Sequence, residues 1–98
     1  MDMDLNALFR KREEIVTRRI AGETLLVPIS GSLANMERIF TLDSVAEYVW
    51  QELDGETSLE AIRDGVLAHF NVEKEQATAD LQEFITQLVE ADLIAEAT

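Results

Sequence analysis

The chain has 98 residues, carries 20 acidic against 8 basic side chains for a net charge of −12, and contains no cysteine. That length lies near the lower end of what one hydrophobic core stabilises, so one domain is expected, and 47% apolar with 29% charged residues is a folded composition. The missing cysteine excludes a disulfide framework, a thiolate metal site and a cysteine nucleophile.

The opening residues, Met1 to Leu8, lack the basic start and apolar run of a signal peptide. No stretch approaches the roughly 20 apolar residues of a membrane span, so no membrane partner is expected and the cytoplasm is the expected location. Six of the eight basic residues (Arg10, Lys11, Arg12, Arg18, Arg19 and Arg38) fall in the first 38 positions, where six acids offset them. Residues 39 to 98 therefore hold the acidic excess, 14 acids against Arg63 and Lys74. Nucleic-acid affinity comes largely from neutralising phosphates, so a half this acidic argues against DNA or RNA as a partner.

Residues 1–14 show no sustained apolar period and read as an arm or a short helical turn. β-branched residues then accumulate: Ile15, Val16, Thr17 and Ile20 make a strand that Ala21-Gly22 ends. Glu23 to Ile29 reads as its hairpin partner, with Leu25, Val27 and Ile29 on one face and Pro28 confined to an edge or a strand end. A polar loop over 30–37 leads to a third short strand, Arg38 to Leu42. There Phe40 and Leu42 point one way and Ile39 and Thr41 the other.

Asp43 can cap a first helix whose apolar residues Val45, Ala46, Val49, Trp50 and Leu53 share a face, with Asp54-Gly55 as its stop. Trp50 is expected in the core. Thr57 with Glu60 forms a capping-box pattern ahead of the stripe Leu59, Ile62, Val66, Leu67 and Phe70. The third helix, from about Val72 to Ala91, places Ala77, Leu81, Phe84, Ile85, Leu88 and Val89 at helical spacing. Leu93 and Ile94 close the chain as an apolar turn back, followed by a tail at 95–98. The expected class is thus α+β, a three-stranded antiparallel sheet followed by three helices.

No residue set supports catalysis. His69 has no second histidine or i+4 acid to make a metal pair and reads as structural. Ser30, Ser32, Ser44 and Ser58 have no base beside them, and Ser44 and Ser58 stand at helix starts. Acid pairs such as Asp80 with Glu83 read as solvation and dipole matching. Gly65 inside the second helix costs about 1 kcal/mol against alanine and suggests close approach of another backbone. No cofactor is implied.

The run Leu42-Asp43-x-x-Ala46-x-x-Val49-Trp50-x-x-Leu53-Asp54-Gly55, then Thr57-x-Leu59-x-x-Ile62, Ala77-x-x-Asp80-Leu81-x-x-Phe84-Ile85-x-x-Leu88 and the closing Leu93-Ile94, resembles the pyrroloquinoline quinone biosynthesis protein D family. Asp43 stands where that family commonly has Asn, and Asp92 where a Gly often precedes the final pair. The resemblance covers about residues 15–94. It implies a winged helix-turn-helix, peptide-binding domain that takes the leader of a ribosomally made precursor and presents it to a peptide-modifying enzyme, such as a radical S-adenosylmethionine (radical SAM) enzyme.

Carried over by position, the resemblance marks Arg38, Ile39, Phe40 and Thr41 on the third strand, and Ala77, Asp80, Phe84 and Gln87 on the third helix, as peptide-binding. The residues point the same way independently, because a short strand at a sheet edge offers unpaired N–H and C=O groups that a peptide strand can satisfy. Two other classes share these elements: a winged-helix transcription regulator, and a self-associating structural domain pairing through the same edge. A monomer or a weak homodimer is expected.

Overall fold

The computed structural model describes residues 4–13, 15–28 and 40–97. Their backbone forms β1 Leu8–Lys11, β2 Ile15–Ile20, β3 Glu23–Pro28, β4 Phe40–Leu42, α1 Ser44–Glu52, β5 Asp54–Ser58, α2 Leu59–His69, α3 Lys74–Glu90 and β6 Ile94–Glu96. Ile29, the expected loop at 30–37, and Arg38 and Ile39 of the third expected strand lie outside the described residues. So do residues 1–3 and 14 of the expected arm and Thr98 of the tail.

The β2–β3 hairpin closes where Ile20 pairs with Glu23. Its two loop residues, Ala21 (φ 53°) and Gly22 (φ 84°), both have positive φ, the arrangement whose twist matches the strands it joins. Pro28, which cannot donate to a ladder, is the last residue of β3. β4 adds to the far side of β3 with Leu26 opposite Phe40, Leu25 opposite Thr41 and Thr24 opposite Leu42, giving the antiparallel order β2-β3-β4.

Successive side chains alternate across a strand, so Thr24, Leu26, Phe40 and Leu42 share one face, and all four are buried. Leu25 and Val27 do share a face, as expected, but it is the outer one, with Thr41 beside them. The buried Thr24 hydroxyl donates to Glu47 Oε2 at 2.9 Å, and Arg19 donates to Glu47 Oε1 at 2.9 Å, tying the hairpin to α1.

A sheet that precedes the helices describes only this first sheet. A second antiparallel sheet, ordered β5-β1-β6, takes its strands from before, between and after the helices. Leu8–Lys11, expected as part of an arm or helical turn, is its central strand, and Phe9 is buried. The segment ahead of it also serves α2: Ala7 and Leu5 carbonyls accept the N–H groups of Leu59 and Glu60 at 3.1 and 2.8 Å. These are helix-start donors with no partner inside the helix.

Asp54, expected only to stop α1, begins β5, and its Oδ1 accepts from the N–H groups of Glu56 and Thr57. The Thr57 hydroxyl donates to the same carboxylate at 3.1 Å, so Thr57 is engaged there. The cap of α2 falls instead to Ser58, whose hydroxyl accepts from Ala61 N–H at 3.2 Å. Gly55 has a φ of 81°, which favours glycine. The chain returns after α3 through Asp92, at φ 63°, and Leu93, whose carbonyl accepts from Arg12 N–H.

The helices behave as their spacing predicts. Asp43 caps α1 by accepting from Ala46 N–H at 2.8 Å, and α1 turns Val49 and Trp50 inward. α2 buries Leu59, Ile62 and Val66, and α3 buries Ala77, Leu81, Ile85 and Leu88, while Val89 is left exposed. Leu53, Leu59, Ile85 and Leu88 have no accessible surface, each contributing about 1.5–3 kcal/mol of apolar burial. Among the described residues no helix is long and apolar enough to cross a membrane.

Gly65 lies close to another residue, but the neighbour is a side chain rather than a backbone: the Tyr48 ring and hydroxyl stand over it. The Tyr48 ring lies 5.0 Å from that of His69, tilted by 37°, and meets Phe70 edge-on at 5.9 Å. His69 Nδ1 is 2.8 Å from the Gly65 carbonyl oxygen, a structural role.

Candidate functional site: an edge strand and an apolar cavity

Among the described residues β4 ends the order of its sheet, and the residue that follows it lines a cavity of about 300 Å³. Val45, Ala46 and Val49 of α1 make one wall and Ala77, Leu81 and Phe84 of α3 the other, with Val66 and Val72 completing the apolar lining. The polar lining residues are Asp43, Asp80, Glu83 and Gln87. A cavity about half this size accepts a benzene ring, so this one has room for large apolar side chains.

The helices create this space. The lining comes from the first half of α1, Val45 to Val49, and from α3 between Ala77 and Gln87. Val45 and Ala46, in the first turn of α1, are only half-buried, whereas Val49 and Trp50 a turn later are inside. On α3, Phe84 is half-buried beside the fully buried Ile85, placing its ring at the wall.

Of the residues singled out from sequence, Ala77, Asp80, Phe84 and Gln87 come together on this wall. Phe40 and Thr41 lie on β4; Phe40 points into the core and Thr41 is exposed on the outer face. Arg38 and Ile39 are outside the described residues. Sequence reasoning missed the facing wall, reading Val45, Ala46 and Val49 as core and Asp43 as a cap alone. The available signal was an apolar face on α1 wider than one short helix needs.

Two carboxylates of the lining already hold local donors. Asp43 Oδ1 caps α1, and Asp80 Oδ1 accepts from Gln76 Nε2 at 2.8 Å. Among the described residues no group of three or more His, Asp or Glu side chains is placed to hold a metal ion. The arrangement is suited to binding: an apolar recess, a strand edge that leads into it and an acidic margin.

The coenzyme PQQ synthesis protein D (PqqD) family matches the chain over residues 23–94. No curated protein sequence matches it. Two solved structures share the fold. TbiB1 in complex with the TbiA(beta) leader peptide superposes with a TM-score of 0.67 at 24% identity, covering 87% of this chain and 93% of that one. Lasso peptide synthetase B1 complexed with the leader peptide gives 0.70 at 21% identity, covering 89% and 96%. The family match runs from the start of β3 to the start of β6 and takes in every wall of the cavity: the chain belongs to the PqqD family.

Proposed function

We propose that this protein is a non-catalytic peptide-binding chaperone that captures the leader of a ribosomally made precursor and presents it to a modifying enzyme. The leader adds as an antiparallel or parallel strand along β4, at Arg38, Ile39, Phe40 and Thr41, and lays alternate side chains against Ala77, Asp80, Phe84 and Gln87. Main-chain hydrogen bonds supply affinity and the cavity supplies selectivity. In this reading α2, α3 and the β2–β3 hairpin form a winged helix-turn-helix turned to peptide recognition, and a radical SAM enzyme is one class of partner.

The observation that carries the proposal is the continuity of the β4 edge with an apolar cavity, through Asp43. The two structures of like fold, each solved with a leader peptide, support it. A winged-helix regulator is disfavoured because α3 carries Glu75, Asp80, Glu83 and Glu90 against Lys74, a sign that repels phosphates.

Calorimetric titration with a precursor leader peptide tests the proposal, using the wild-type chain and Ala46→Phe. The phenylalanine would fill the cavity from α1 while Asp43 still caps the helix. Binding weakened about tenfold or more, with the fold intact by Trp50 fluorescence, is the expected result. Equal binding by both proteins would exclude the cavity as the site.

A further inference from the structure

We infer that the cavity selects a cationic leader, one in which a lysine or arginine stands two residues from a large apolar side chain; this inference rests on the leader-capture reading. Among the described residues, every ionisable one that lines the cavity is acidic: Asp43, Asp80 and Glu83. Among the described residues the ion pairs are Arg12 with Asp92, Arg19 with Glu47 and Arg63 with Asp64, and none of them engages Asp43, Asp80 or Glu83. Lys74, the one basic residue of α3, lies on another flank of that helix beside Glu75, Thr78, Ala79 and Gln82. Among the described residues, then, no cation pairs with this acidic margin, and it is suited to a cationic occupant.

The apolar lining and the acidic margin ask for different groups on one face of the peptide. In an extended strand residues i and i+2 point the same way, about 7 Å apart. A large apolar residue at i can enter between α1 and α3 while Lys or Arg at i+2 or i−2 lays its methylene stem on the wall and carries its charge to the margin. Acidic or neutral residues at those positions forgo this attraction or oppose it, which makes the margin a determinant of which leader is accepted.

The test is selection from a displayed random-peptide library on the full chain, followed by affinity measurement of selected peptides on wild type, Glu83→Lys and the double variant Asp80→Asn, Glu83→Gln. The carboxylates of Asp80 and Glu83 are exposed, and Trp50 fluorescence checks that each variant is folded. The expected pool is enriched in Lys or Arg two positions from a large apolar residue. Those peptides should bind the double variant about three- to tenfold more weakly, with the loss shrinking in high salt, and Glu83→Lys more weakly still. Peptides that bind without a basic preference, or equally well to the double variant, would overturn the charge rule and leave leader capture standing. A library and a precursor that both fail to bind would overturn both.

Discussion

The hydroxyl of Tyr48 on α1 occupies the space where a β-carbon on Gly65 of α2 would project, so the two helices meet through a glycine and a tyrosine. A methyl group at Gly65 would gain about 1 kcal/mol of helix propensity and displace a ring held against His69 and Phe70. Overpacking costs about 1–3 kcal/mol, so Gly65→Ala should lose about 1 kcal/mol net. Chemical unfolding followed by Trp50 fluorescence measures it. In a Tyr48→Phe background the penalty should shrink, because the nearest atom is gone while ring carbons at 3.0 and 3.2 Å remain. A stabilising Gly65→Ala would show that the contact does not constrain the helices.

Tyr48 is also the one tyrosine in the chain, so its titration can be read directly by absorbance. Burial raises its pKa above the usual value of about 10, and the charge of Glu52 and a hydrogen bond to that carboxylate raise it further. A raised folded pKa means that the unfolded chain loses its proton first. The contribution to stability is whole below about pH 10 and is lost as pH rises through the folded value. Absorbance titration should place the native tyrosine above the same residue in denaturant; equal values would contradict the burial.

Glu47 accepts from both Arg19 and Thr24, and Thr24 is only 2% exposed. Glu47→Ala leaves a buried hydroxyl without its acceptor, at a cost of about 1–3 kcal/mol. Glu47→Gln retains an acceptor oxygen and should lose less. A change below about 0.5 kcal/mol for the alanine variant would mean that the hairpin is held by packing alone.

Ala21 adopts a positive φ that L residues with a β-carbon adopt at a cost of roughly 1 kcal/mol. Asn-Gly is a preferred pair for such a two-residue hairpin loop, so Ala21→Asn should stabilise the chain by about 0.5–1 kcal/mol in the same unfolding assay. No gain, or a loss, would contradict the turn geometry.

The helices were legible because their stripes are local: Asp43, Trp50 and the residues around Ile62 and Ile85 lie within one turn or two of the neighbours that define them. The second sheet was not. Asp54–Ser58 contains no large apolar residue, and Leu8–Lys11 shows one buried side chain, Phe9. What makes these segments strands is pairing over long separations, Leu8 with Ser58 and Phe9 with Glu96, which no window of sequence displays. The inner face of β3 was ambiguous for another reason. Leu25 and Leu26 are adjacent, so both phases of the alternation hold a leucine, and only the pairing with Phe40 and Leu42 selects Leu26. One wall of the candidate site was marked by the family resemblance along α3, while the facing wall required knowing where α1 packs.

The most direct test of leader capture is the set of intermolecular nuclear Overhauser contacts in the complex of the isotope-labelled chain with the precursor leader. Strand addition predicts contacts between peptide backbone protons and the amides of Phe40, Thr41 and Leu42, together with peptide side-chain contacts to the methyl groups of Val45, Val49 and Leu81. Contacts confined to the outer edge of β2 or to the β5-β1-β6 sheet, with β4 and these methyl groups untouched, would contradict it.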